Sequence, residues 1–146
     1  PLGNYPRIVM FNEINRRWNT LEGDQVVTAI QAAETQGTEG TVAEPEEWRI
    51  YNAMAGIFQR VAASDPVFMA KSRELVDQSV KLAPSRIEVQ RLLIRQHVIE
   101  DDHIGALEVI DDYVDETPEA APHFAGLRED IEKILEERAG EGENDG

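Results

Sequence analysis

The chain has 146 residues, about the size of one domain, and sets 29 acidic side chains against 14 Lys and Arg, for a net charge of −15. A field of that sign repels nucleic-acid phosphate and anionic lipid, and favours basic partners or simple solubility. Cysteine is absent, which excludes disulfides and thiolate metal sites and suits cytoplasm and periplasm alike, and no run approaches the roughly 18–20 apolar residues needed to insert in a membrane.

Pro1–Gly3 resembles the scar of a cleaved affinity tag and is set aside from the fold. Strand signals are missing, and helical periodicity recurs along the rest of the chain. A first helix is predicted from about Arg7 to Leu21, with Ile8, Phe11, Ile14 and Trp18 on one stripe. Asp24 is the expected N-cap of a second helix, Gln25 to Thr35, carrying Val26, Val27, Ile30 and Ala33. The stretch QGTEGTVAEPEE, Gln36 to Glu47, has two glycines and a proline and predicts the clearest loop.

Pro45 is placed in the first turn of a third helix, whose expected buried face is Trp48, Tyr51, Ala55, Phe58 and Ala62. Ser64–Pro66 ends it and starts a fourth helix that stops at Pro84. Ser85 is the expected cap of a fifth, with Val89, Leu92 and Leu93 inward. A sixth runs from about His103 to Glu116, after a cap at Asp102. Pro118 and Pro122 bracket a loop, and residues 122–139 form a seventh helix with Phe124, Leu127, Ile131, Ile134 and Leu135 as its stripe. The acidic, glycine-rich residues 140–146 are predicted to be a disordered tail.

Two of these helices share a pattern. KLAP ends at Pro84 and DETP ends at Pro118, a separation of 34 residues. Ala106, Ile110, Tyr113 and Pro118 stand in one unit where Ser72, Val76, Ser79 and Pro84 stand in the other. Spacings of 4 and 3 put the first three of each set on one helix face, small residues let a partner helix approach, and proline ends the helix. In period and in these positions the chain resembles the tetratricopeptide repeat family, in a degenerate form. Asn52 and Ile94 stand where that family has glycine, and Tyr113 where it has a second small residue.

The resemblance implies an all-α fold, with antiparallel helix pairs stacked as a short right-handed solenoid. Residues 4–139 would form the single domain: a helix pair at 7–36, repeats at 45–84 and 85–118, and a capping helix at 122–139. It also implies a groove lined by the first helix of each unit, where proteins or peptides bind. Carried over by position, the groove residues are Arg49, Asn52, Arg91 and Arg95, with Ala53, Glu88 and Leu92 beside them.

Catalytic patterns are lacking. No serine lies in a Gly-x-Ser-x-Gly elbow, GTEG has no lysine after it, and no two histidines are four apart. Glu100–His103 could offer carboxylates and an imidazole to a metal, but a helix–helix turn with Asp102 as cap accounts for it without one. The expected function is therefore a non-enzymatic protein-interaction scaffold without cofactor or metal, binding a protein or peptide, with homo-oligomerisation open. The alternative is an accessory domain of a larger protein, such as a membrane glycan polymerase or ligase.

Overall fold

The computed structural model describes residues 3–144, and these contain seven α-helices and no strand. The helices are α1 (Tyr5–Arg17), α2 (Gly23–Ala43), α3 (Trp48–Ala62), α4 (Pro66–Leu82), α5 (Ile87–Ile99), α6 (His103–Glu116) and α7 (Ala121–Asn144). Short 3-10 turns follow α1 and precede α7. None of the described helices is long and apolar enough to cross a membrane.

Helix α3 is the centre of the first half. It packs against α1, α2, α4 and α5, and every residue from Ala53 to Gln59 is buried. A helix enclosed on all sides needs small or apolar residues all round, not one stripe. The expected face of Trp48, Tyr51, Ala55, Phe58 and Ala62 was thus only part of it. Ile50, Ala53, Met54 and Ile57 form another buried face, clustered with Ile8 and Phe11 of α1 and Ala33 of α2.

The predicted loop at Gln36–Glu47 is corrected: α2 stays helical to Ala43. Gly37 and Gly40 are buried with Ala29 and Ala33, spaced 4, 4 and 3 on one face. At Gly37 an added Cβ would sit 2.3 Å from the Met54 Cε, and at Gly40 it would sit 2.8 Å from the Asn4 Oδ1. Both glycines therefore serve close helix approach rather than a break. Val27, expected inward, is exposed. The cap also differs: Glu22 and Gln25 close a capping box at the start of α2, and Asp24 lies in its first turn.

Three other boundaries move. Pro45 lies before α3, whose N-cap is Glu47, and its carbonyl accepts from the Tyr51 hydroxyl at 2.9 Å. Arg86, not Ser85, occupies the N-cap of α5, while the Ser85 carbonyl accepts from Tyr113 at 3.0 Å. Residues 140–144, expected to be disordered, are the last turn of α7; Asp145 and Gly146 lie outside the described residues, as do Pro1 and Leu2.

The second half is organised by α6. Ala106, Ile110 and Tyr113 are buried and cluster with Ile94 of α5 and Phe124 and Ile131 of α7. Tyr113 and Phe124 meet edge to face, with centroids 5.8 Å apart. Ser72, Val76 and Ser79 of α4 are buried too, and both serine hydroxyls are satisfied by the carbonyl three residues back.

Contacts fix the relative sense of the central helices. Trp48 faces Arg86 near the starts of α3 and α5, and Gln59 reaches Leu92 and Gln96 near their ends, so these two helices run parallel. On the other side of α3, Asn15 donates to the Ala53 carbonyl. Gly40, opposite Ile50, meets Asn4 at the start of α1, so α1 runs the same way as α3.

Candidate functional site

The face shared by α1, α3 and α5 brings the groove candidates into view. Arg91 and Arg95 are four apart on α5, both exposed, and neither has an acidic side chain within ion-pair distance among the described residues. Glu100, a conceivable partner, is taken by Arg73 of α4, which also holds Asp77. Arg49 is exposed at the start of α3 but bridged to Glu47 at 2.8 Å. Asn52 is half-buried, and its Oδ1 is shut from solvent without a hydrogen-bond partner. Ala53 lies beneath α1, not on an open groove.

A residue not anticipated from sequence joins this face. Arg60 stands eleven residues after Arg49, three helical turns and about 16 Å along α3. Its Nε donates to the Asn15 Oδ1 at 3.0 Å and its Nη2 to the Asn15 carbonyl at 2.9 Å. The guanidinium lies over the Trp18 ring, 5.8 Å from its centroid. Burial, and then the positive charge of Arg95, hold the Arg60 pKa below the usual arginine range. The repeating spacing 49, 53, 56, 60 along α3 was the available signal; the Trp18 contact, made across 42 positions of chain, was not.

Neighbouring side chains fix where these arginines stand. Gln59, adjacent to Arg60, donates through Nε2 to the Leu92 carbonyl at 2.8 Å and to the Gln96 Oε1 at 3.2 Å. Gln96 in turn donates to the Glu100 Oε2 at 2.9 Å and weakly to the Met69 carbonyl at 3.4 Å. The turn of α5 that bears Arg95 is thereby tied to the end of α3 that bears Arg60.

The acids of Glu100–His103 are engaged in the α5–α6 turn. Glu100 accepts from Arg73 and Gln96, and these bonds hold its carboxyl below the usual range. Asp101 takes a left-handed backbone, φ 64°, and pairs with Arg138 of α7 at 2.7 Å. Asp102 accepts from the Gly105 N–H and from His97, each at 2.9 Å, and its pKa is lowered by the first and then by the second.

Of the concavities elsewhere, two border the core of the first half. One, of about 240 Å³, opens between α2 and α4 over Tyr51, Met54 and Phe58 of α3. The other, of about 400 Å³, is an apolar seam between α1 and α2 lined by Met10, Ile14, Leu21, Ala29 and Ala32.

No family model, no curated protein and no solved structure matches this chain.

Proposed function

We propose that this chain is a protein-interaction scaffold, a degenerate tetratricopeptide-like array that holds a protein or peptide partner against the face of α1, α3 and α5. The repeat reading is supported by the common direction of those three helices and by the 34-residue proline spacing. Burial of Ser72, Val76 and Ser79, matched by Ala106, Ile110 and Tyr113, supports it further. Its role is binding rather than catalysis.

One observation carries the choice of face. In a chain with twice as many acids as bases, Arg60, Arg91 and Arg95 gather there without acidic partners. Among the other arginines, Arg7, Arg16, Arg17, Arg49, Arg73, Arg128 and Arg138 each hold a carboxylate, and Arg86 instead lies over the Trp48 ring. Cations left uncompensated beside one another cost stability, and a partner that supplies the missing charge recovers it.

The test is a random-peptide display library panned on the purified chain. Enriched peptides are expected to lose binding to R49E/R91E/R95E, with far-UV circular dichroism unchanged. Peptides that bind the triple variant equally well remove the face, and a library that yields no enriched peptide removes the function.

A further inference from the structure

We infer that the cavity between α2 and α4 is a binding site for a compact organic ammonium, a primary amine on an apolar body. The site is separate from the arginine face and does not depend on the scaffold reading.

Three helices build it. Tyr51, Met54 and Phe58 of α3 form the floor, at spacings of 3 and 4 on one stripe. At 3.6 residues per turn that stripe points about half a turn away from Arg49, Ala53 and Arg60. Gly37 seats α2 on Met54, and the same face of α2 carries Glu34, Thr38 and Thr41 as one wall. Lys71, Glu74 and Leu75 of α4 form the other.

The walls are rich in acceptors and poor in free protons. The Thr38 hydroxyl donates to the Glu34 carbonyl at 2.6 Å, the Thr41 hydroxyl to the Thr38 carbonyl at 3.0 Å, and the Tyr51 hydroxyl to the Pro45 carbonyl at 2.9 Å. A hydroxyl has one proton, so each of these can offer a ligand only its lone pairs. Lys71 is already held by Glu34 at 3.2 Å, and it stands over the Phe68 ring, 5.4 Å from the centroid. Glu74, almost one turn on along α4, is exposed and has no basic side chain within ion-pair distance among the described residues. An anion would find Lys71 alone, and that lysine is engaged. An ammonium would find the Glu74 carboxylate, the threonine oxygens and the Tyr51 ring.

Size and surface narrow the ligand further. The cavity holds about 240 Å³, below the roughly 300–1,000 Å³ of pockets that take drug-sized ligands, so it suits one compact group rather than a nucleotide. A bare metal ion would leave the floor of Met54 and Phe58 uncovered, whereas a hydrocarbon body removes that apolar surface from water. The net charge of −15 raises the local concentration of any cation.

The experiment titrates phenethylamine, phenethyl alcohol and phenylacetate, which share a ring and differ in the head group, into the isotope-labelled chain and follows backbone amide chemical shifts. Phenethylamine is expected to shift amides around Thr38, Tyr51 and Glu74 and to bind about tenfold more tightly than the alcohol, with phenylacetate weakest. E34Q/E74Q should lose about tenfold, and T38F should lose binding because the new ring fills the cavity. E129Q/E136Q makes the same change of charge at exposed positions of α7, and should leave the affinity within about twofold, as should R91E/R95E. Unchanged melting temperatures confirm the fold of the variants, and the shift map of the wild type needs no variant. The inference is overturned by equal binding of amine and alcohol, by shifts that lie outside this cavity, by full binding in T38F, or by equal losses in E34Q/E74Q and E129Q/E136Q. A blocked Gly-Lys-Gly tripeptide that binds more tightly than phenethylamine would also overturn it, by giving the cavity to a peptide side chain.

Discussion

The two halves of the molecule close their cores by different means. Around α3, backbones approach through glycine: Gly37 makes room for Met54, and Gly40 for Asn4 and Ile50. Around α6, no core position is glycine, and Ala106, Ile110, Tyr113, Phe124 and Ile131 fill the space with side chains. The first strategy gives close packing at the expense of helix propensity; the second keeps propensity and relies on shape. Glycine in this chain therefore packs helix on helix in the first half, makes room for the Asp102 cap and His97 at Gly105 of α6, and at Gly126 of α7 is an exposed position with nothing within 4 Å of an added Cβ.

The largest effect that sharpens this contrast comes from emptying each core. Ile57→Ala and Ile110→Ala each remove a side chain almost wholly out of solvent and should cost about 2–4 kcal/mol. The halves meet through α3, α4 and α5, so urea unfolding followed by circular dichroism should show one transition in both variants. Two separated transitions in either would make the halves independent units.

A smaller effect tests the glycines directly. Gly40→Ala would push against Asn4, which is itself fixed by its bond to the Gly40 carbonyl, and overpacking of this kind should cost about 1–2 kcal/mol net. Gly126→Ala should do the opposite and gain up to about 1 kcal/mol from helix propensity alone. Melting temperatures that move in the same direction for the two would break the contrast.

Asp102→Ala removes the α6 cap and the tie to His97 together, and should lower the melting temperature by less than Gly40→Ala does. The smallest expected change is with pH. Folding lowers the pKa of Glu100 and Asp102, so their contribution is present above the ordinary carboxylate range and is lost as pH falls below about 4. Acid titration of Glu100→Gln should therefore be shallower than that of the wild type. Equal slopes would remove Glu100 from the acid response.

The same contrast explains what could be read from the sequence. The sixth helix was legible because Ala106, Ile110 and Tyr113 keep helical spacing and Asp102 is a strong capping residue. The second half of α2 was not, because QGTEG carries the composition of a loop. Its helical stripe is made of glycine and alanine, and it becomes meaningful only once Met54 and Ile50 are known to lie opposite. That Arg91 and Arg95 share one face of α5 followed from their spacing of four, while their place among the groove candidates came from the family resemblance. The neutralisation of Arg49 by Glu47 is a local contact at the start of α3, whereas the enclosure of Asn52 and the arrival of Arg60 depend on tertiary neighbours.

The amides of Gln59 and Gln96 have a consequence for specificity. They sit where α3, α4 and α5 cross, almost fully enclosed, and pass donors in sequence from Gln59 to Gln96 to Glu100, which Arg73 of α4 then holds. An apolar seam tolerates a helix sliding by one turn, about 5.4 Å, because one leucine contact resembles the next. This seam does not, since the slide would strand two buried amides and pull the half-buried Glu100 carboxylate from its donors. The polar chain thus acts as an index mark between the two halves, and the relative placement of Arg60 and Arg95 is set by the same mark.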